Sequence, residues 1–228
     1  MKVVKAGFKY LAPFDGVELL KTCERAGRLC YQSTNKITDT SYEPFIHRII
    51  KSGHTSVLEH ASIGVILTID RGVTHELVRH RTGIAYSMES TRYNSYDNDK
   101  FDGELTVVRP VFWSDDRSES DKDNYTTWLA AMEAAERLYL RLLKNGSSAQ
   151  EARGALPHSI KADIAVTANL REWRHIFALR CDKAAQPQMR EIMLLLLEDF
   201  YKRVPVAFDD LYEKYENDIS DFHAMRED

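Results

Sequence analysis

Cysteine is scarce: Cys23, Cys30 and Cys181 are the whole complement of a 228-residue chain. An odd number with no metal-ligand spacing argues against a disulfide framework and points to a reducing, cytoplasmic setting. Positive charge is short as well. A formal net charge of −4 leaves no global basic field, so nucleic acid is not an expected partner. Any polyanion site must be local, as a small-molecule phosphate pocket is. No apolar run reaches the roughly 20 residues that cross a bilayer, and the apolar residues 193–197 fall far short of it. No signal-like segment opens the chain. A glycine-rich dinucleotide fingerprint is also missing, which disfavours a Rossmann oxidoreductase.

What is present is an ordinary globular composition, 43% hydrophobic and 29% charged, long enough for one sizeable core and expected to form a single domain over 1–228. Strands are expected at 2–4, at the β-branched stretch 62–69 and at 105–111. Another is expected where Ile160, Ala162, Ile164, Val166 and Ala168 alternate strictly, which gives one buried face. Helical spacing marks 15–26, 42–52, 125–144 and a closing helix at 188–204, with a short helix at 149–156 before Pro157. The stripe Trp128, Leu129, Met132, Ala135, Leu138, Tyr139 and Leu142 suits core or a subunit interface. The charged stretch 113–124 reads as a surface loop. Cys30, with no base or metal partner nearby in sequence, reads as a small buried hydrophobe. Ser56 and Glu59 stand at capping-box spacing, and His54, Glu59 and His60 match no helical zinc motif.

The densest chemistry lies in 75–93, HELVRHRTGIAYSMESTRY. Val73, Leu77 and Val78 open it as a helix, but three consecutive helical residues fan over about 200°. Arg79, His80 and Arg81 therefore cannot all face one small ligand on a continuing helix. Thr82-Gly83 favours an ending there, where cations suit a helix C-terminus. A solvated basic last turn would account for Arg-His-Arg alone. The continuation through Ser87, Ser90, Thr91 and Arg92 returns hydroxyls and another arginine, a concentration that suits phosphate. A second cationic segment, 169–180, holds Arg171, Arg174 and Arg180 with one acid, Glu172. Its expected partner is His175 or the surface beside Ile176, and a solvated basic face explains this composition equally well.

Arg79-His80-Arg81 followed by Ser90 and Arg92-Tyr93 resembles the signature of the flavin-dependent thymidylate synthases. The spacer, 82–89, is eight residues where the family has seven; Met88 takes an expected polar position and Glu76 one where glutamine is more frequent. Further matches follow in order: Gly53-His54 with Glu59-His60, then Ala152-Arg153 before Leu156-Pro157. The last are Asn169, Arg171, Phe177 and Arg180, then Ala185-Gln186, with Ala184 where histidine is common. Together they cover 20–93 and 149–191.

The resemblance implies an α+β fold, a central mixed or antiparallel sheet flanked by helices, in a homotetramer with active sites at subunit junctions. It implies methylation of dUMP to dTMP with FAD, NADPH and methylenetetrahydrofolate, without a metal or a cysteine nucleophile. Arg180 would be catalytic at the uracil ring, where its charge offsets that developing on the base. Glu76, Arg79, Ser90, Arg92 and Arg153 would join it in binding dUMP, the phosphate falling to Arg79, Ser90, Arg92 and Arg153. His54, Ser56, Glu59, Arg79, His80, Arg81, Ser87, Asn169, Arg171 and His175 would line FAD. His80 is expected to be neutral because two arginines flank it. Ser90 is expected to bind phosphate, since the only acid beside it in the signature, Glu89, has no reason to orient His80 as a base. Two other readings use the same residues: a nucleic-acid-binding module built on the arginines, and a metal hydrolase built on His54, His60, His75 and His80.

Overall fold

The computed structural model describes residues 1–113 and 118–226. In chain order its elements are β1 (Lys2–Val4), β2 (Gly7–Tyr10), α1 (Gly16–Leu29), α2 (Tyr42–Lys51), β3 (Ser62–Asp70), α3 (Arg71–Leu77) and β4 (Ile84–Met88). There follow β5 (Thr106–Val108), α4 (Glu119–Lys144), α5 (Ala149–Ala152), β6 (Lys161–Asn169), α6 (Leu170–Arg180), α7 (Pro187–Arg203) and α8 (Asp209–Arg226).

Alternating burial decides the centre. β3 and β6 pair antiparallel from Ser62 opposite Asn169 to Asp70 opposite Lys161. In that register Ile63, Val65, Leu67 and Ile69 lie directly across from Ala168, Val166, Ile164 and Ala162, and none is more than 2% exposed. Each large aliphatic side chain so buried contributes roughly 1.5–3 kcal/mol. β2 and β4 complete an antiparallel sheet of order β2-β3-β6-β4, while β1 and β5 form a separate parallel pair. Against the buried face, α6 and α7 set Trp173, Phe177 and Phe200, which with Phe208 form a cluster of rings 5.2–5.7 Å apart. The Trp173 indole N–H donates to the Ile63 carbonyl at 3.0 Å, so the largest core side chain is also tied to the sheet.

The helices start and stop for local reasons. Asp15 accepts from the amides of Val17 and Glu18 at the head of α1, and Asp70 accepts from Val73 at the head of α3. α3 stops at Leu77, and the hydroxyl of Tyr86 on β4 donates to the carbonyls of Leu77 and His80 at 2.7 and 3.1 Å. A tyrosine from the next strand thus occupies carbonyls that another helical turn would have used. The one charged pair buried in α1, Glu24 with Arg28, is satisfied because Ser41 donates to the second carboxylate oxygen at 2.9 Å.

The antiparallel sheet with flanking helices agrees with the expected α+β class, and 2–4, 62–69 and 160–168 are strands as expected. Other expectations need correction. Residues 119–124 are not loop but the first turns of α4, begun by Ser118, whose hydroxyl accepts from Asp121; residues 114–117 of that stretch lie outside the described residues. Helix 188–204 does not close the chain: α8 follows it, burying Leu211, Tyr215, Ile219 and Phe222 at helical spacing. The 149–156 helix is α5 plus a 3-10 turn, Arg153–Ala155. The Ser56–Glu59 capping box does not form, since Thr55–His60 is a 3-10 turn without a side-chain cap. The capping box present is Ser148 with Glu151. Cys30 is exposed rather than buried, because it follows the end of α1. On α4 Trp128 and Tyr139 of the apolar stripe are buried, and Leu138 is 57% exposed, so within one chain only part of the stripe is core.

No helix among the described residues is long and apolar enough to cross a membrane.

α1 and α7 approach so closely that a Cβ on Gly16 would stand 1.9 Å from the Arg203 carbonyl oxygen. Helix propensity favours alanine over glycine by about 1 kcal/mol, whereas overpacking costs about 1–3 kcal/mol. Because the obstacle is backbone, Gly16→Ala is expected to lower the urea-unfolding free energy by about 1–3 kcal/mol; an unchanged or raised midpoint would show that the helices can separate freely.

Candidate active site

Three of the expected residues meet in a hydrogen-bonded chain at the C-terminal end of α6. Arg180 donates from Nε to His80 Nε2 at 3.0 Å, from Nη1 to Glu76 Oε2 at 3.0 Å and from Nη2 to the Glu76 carbonyl at 3.1 Å. On the other side of the imidazole, His80 Nδ1 lies 3.3 Å from Glu172 Oε1. The His175 ring meets His80 edge-on at 5.5 Å. The order along the chain is Glu172, His80, Arg180, Glu76, so the one neutral ring sits between an acid and a cation.

His80 is 5% exposed. Burial, then the charge of Arg180, then that of His175, lower its pKa from 6.5 to about 4, which leaves the ring neutral near pH 7. Neutrality was expected, but from Arg79 and Arg81; burial and Arg180 are responsible instead. Arg180 has only donors, so Nε2 must present its lone pair and the ring proton resides on Nδ1, facing Glu172. Burial raises the pKa of Glu172, while His175 and Arg171 oppose the rise. The partner of Glu172 is therefore His80, not His175 or the surface beside Ile176. The arginine-rich face is not merely solvated either: Arg174 forms a two-pronged pair with Asp210 at 2.8 and 2.6 Å.

His80, Glu172 and His175 bring metal-ligand atoms within 4.8 Å of one another. A neutral imidazole has one lone pair on nitrogen, and here Arg180 already occupies it. Binding an ion at Nδ1 would require breaking the Arg180 hydrogen bond, which the geometry favours over an ion.

Beside this chain lies a polar pocket of about 330 Å³ lined by Glu59, Thr82, Gly83, Asn169, Arg171, Glu172 and His175. Its shape depends on Gly83, whose φ of +64° and closeness to Asn169, 2.3 Å from a built Cβ, leave no room for a side chain. Asn169 caps α6 by accepting from the Glu172 amide at 2.8 Å. Glu59 pairs with Arg171, which replaces its expected capping role. A second, basic pocket of about 350 Å³ is lined by Arg71, His75, Thr91, Gln150, Arg153 and His158 among others, and Arg92 donates to Gln150 at 2.8 Å. A third, about 640 Å³, includes Arg28, Lys36, Phe45, Arg48, His54 and Ser56.

One chain thus gathers Glu59, Asn169, Arg171 and His175 in one place, and Glu76, His80 and Arg180 next to it. Arg153 and Arg92 are at the basic pocket, and His54 and Ser56 at the third. Ser90 accepts from the Arg92 amide at 3.3 Å, while Ser87 and Met88 are exposed on β4, the strand that fills most of the spacer. Arg79 and Arg81 are exposed and have no ion-pair partner among the described residues. Glu89 meets Tyr96 and Lys161 instead of His80. Sequence reasoning missed Glu172 as a site residue, although its place as the sole acid between Arg171 and Arg180 was a signal. It also missed Tyr86, Arg71 and His158.

The description "thymidylate synthase complementing protein" belongs to the family that matches residues 17–206. A flavin-dependent thymidylate synthase of Pyrococcus abyssi is 34% identical over 173 residues, 75% of this chain and 68% of that one. One of Mycobacterium sp. (strain JLS) is 35% identical over 206 residues, covering 82% and 78%. The crystal structure of a UMP/dUMP methylase, PolB from Streptomyces cacaoi bound with 5-Br dUMP, superposes with a TM-score of 0.77 at 18% identity, covering 94% of this chain and 97% of that one. At that identity the likeness is one of fold.

Lowering of the His80 pKa has a thermodynamic sign. Between about pH 6.5 and 4 the unfolded chain binds more protons at this residue, so the stability it contributes is complete above that window and lost as pH falls through it. His80→Gln removes the titration. The difference in unfolding free energy between parent and variant is expected to narrow from about pH 7 to about pH 4; a constant difference would show that the ring is not held neutral by the fold.

Proposed function

The chain belongs to the thymidylate synthase complementing protein family, whose relatives named above are flavin-dependent thymidylate synthases, and from that premise we propose that it methylates dUMP to dTMP. FAD is the cofactor in this reading, NADPH the reductant and methylenetetrahydrofolate the one-carbon donor, within one domain in a cytoplasmic setting. The observation that supports it best is Arg180. Three of its N–H groups are tied to His80 and Glu76, which leaves one on each terminal nitrogen for a ligand with two acceptors. A uracil edge is such a ligand once N3 has lost its proton, when N3 and O4 both accept. Methylation requires C5 of the ring to become nucleophilic, and a fixed guanidinium at N3/O4 stabilises the negative charge this creates. No cysteine is needed for that step, and the buried Cys23 and Cys181 stand outside it.

The residues of the polar pocket suit FAD by their chemistry: Arg171 for a phosphate, Asn169 and Thr82 for hydroxyls, His175 for a ring or phosphate edge, and an open backbone at Gly83. Arg79 and Arg81 add charge with no ion-pair carboxylate among the described residues, and His54 and Ser56 act from the third pocket. When bound, the reduced flavin supplies the hydride that takes the one-carbon unit to a methyl group. Arg79, Ser90, Arg92 and Arg153 bind the nucleotide phosphate, with Arg71, His75 and His158 in the same basic pocket. A cation cluster of this kind draws an anionic substrate to a chain whose net charge is −4.

Site size supports assembly. The polar pocket adjoins Asn169 at one end of β6, and the basic pocket adjoins His158 just before its other end. Eight strand steps of about 3.4 Å put these ends about 27 Å apart, farther than one nucleotide reaches. Arg153 and Arg171 of one chain therefore serve different sites, each completed by another copy in a homotetramer. The exposed Leu138 and Leu142 on α4 are suited to that contact.

Purified protein is expected to be yellow and to form dTMP from dUMP. Arg180→Ala is expected to lower dTMP formation by about 10²–10³-fold while FAD binding and NADPH-driven flavin reduction, followed by visible absorbance, survive. Parental dTMP formation by this variant would remove Arg180 from the ring.

Ser90→Ala tests the remaining motif hydroxyl. Loss of one phosphate hydrogen bond is expected to weaken dUMP binding about tenfold, equivalent to about 1.4 kcal/mol, with turnover retained at saturating nucleotide. A nucleotide adduct trapped on Ser90, absent together with all turnover in the variant, would identify a nucleophile instead.

A further inference from the structure

Resting on the placement of Arg180 at the pyrimidine, we propose that Glu172 is a positioning residue: by fixing the His80 ring proton on Nδ1 it selects which N–H groups Arg180 presents to the substrate. The constraint is stereochemical. Arg180 Nε–H can only donate, and it is aimed at His80 Nε2 from 3.0 Å. If the ring proton moved to Nε2, two donors would oppose each other at that distance. The proton stays on Nδ1 because an acceptor stands there, Glu172 Oε1, at 3.3 Å. His80 is the only ion-pair contact of Glu172 among the described residues, although the charges of His175 and Arg171 also act on it, and it is 8% exposed.

The consequence reaches the substrate face. With Nε–H consumed by His80, rotation of the guanidinium about its long axis is blocked, and the two ties to Glu76 set its tilt. Without the His80 tie both remaining contacts belong to one residue, Glu76, and the plane can swing about it. The backbone around His80 is itself held, since Tyr86 donates to its carbonyl at 3.1 Å. The imidazole is therefore a fixed spacer whose polarity depends on one carboxylate. Orienting groups of this kind determine the tautomer of a histidine in many sites. The other charged or titratable groups facing the ring are Arg180 and His175, and neither can accept the Nδ1 proton in place of Glu172: Arg180 has only donors, and His175 meets the ring edge-on rather than through a hydrogen bond.

Two substitutions separate positioning from packing. Glu172→Gln keeps an oxygen acceptor at the ring; Glu172→Leu keeps the volume and removes the acceptor. Nitrogen-15 NMR of histidine-labelled protein, assigned with His80→Gln, reads the ring directly. The expected result is a proton on Nδ1 and a bare Nε2 in the parent and in Glu172→Gln, and a shift toward Nε2–H in Glu172→Leu. Kinetically, Glu172→Leu is expected to lose about 10–100-fold in kcat/KM for dUMP, while Glu172→Gln remains within a few-fold of parent. A parent ring protonated on Nε2, parental kinetics in Glu172→Leu, or equal losses in both variants would each overturn the proposal. If Glu172→Leu does not fold, the ring state of the parent and of Glu172→Gln decides. A parent that makes no dTMP would overturn the methylation reading instead, and the same spectra would still report whether Glu172 orients the ring.

Discussion

The antiparallel pairing of β3 with β6 is the constraint on which the rest depends. Its register aligns four aliphatic residues on one strand with four on the other, and it fixes what emerges at each end. One end releases Ala61 and Asn169, which bring Glu59 and Arg171 together; the Asn169 amide also bonds the Gly83 carbonyl at 3.1 Å. The other end releases Arg71 and receives His158, whose carbonyl accepts from Gly72. A slip of one residue would turn every aliphatic side chain outward and would also separate these polar pairs. Core and site are therefore specified by the same register.

Charge in the site is arranged by pairing rather than by excess. Arg180 lies against Glu76, Arg171 against Glu59 and Arg174 against Asp210, so a chain with more acids than bases can still concentrate guanidinium groups. Burying an unpaired cation would be prohibitive. Arg79 and Arg81, which have no ion-pair partner among the described residues, are exposed, which is where an anionic ligand can reach them.

The same logic applies to α4. A 26-residue helix that buries two side chains of its apolar stripe gains little from its own chain. Most helical stability comes from packing an apolar face. Such a helix is well suited to meet another copy.

The local patterns in the sequence were sufficient for much of the fold and for the family. Strict alternation over 160–168 required a strand with one buried face, Asp15 required a helix start, and the order of Arg79, His80, Ser90, Arg92 and Arg180 was enough for the resemblance. Periodicity acts within a turn or two of backbone, so it can be read from neighbours alone. α8 carried the same signal in Leu211, Tyr215, Ile219 and Phe222 and went unread, whereas β2 and β4 are too short to show a period. What only the tertiary structure decided were the partners: Glu172 for His80, Glu59 for Arg171, and Glu76 for Arg180, 104 positions away. It also decided that burial and Arg180, not the flanking arginines, make His80 neutral, and that Cys30 is exposed. Contacts at such separations are set by strand register and helix packing. A residue's neighbours in sequence therefore determine the shape it helps to form, but not the charge it will face.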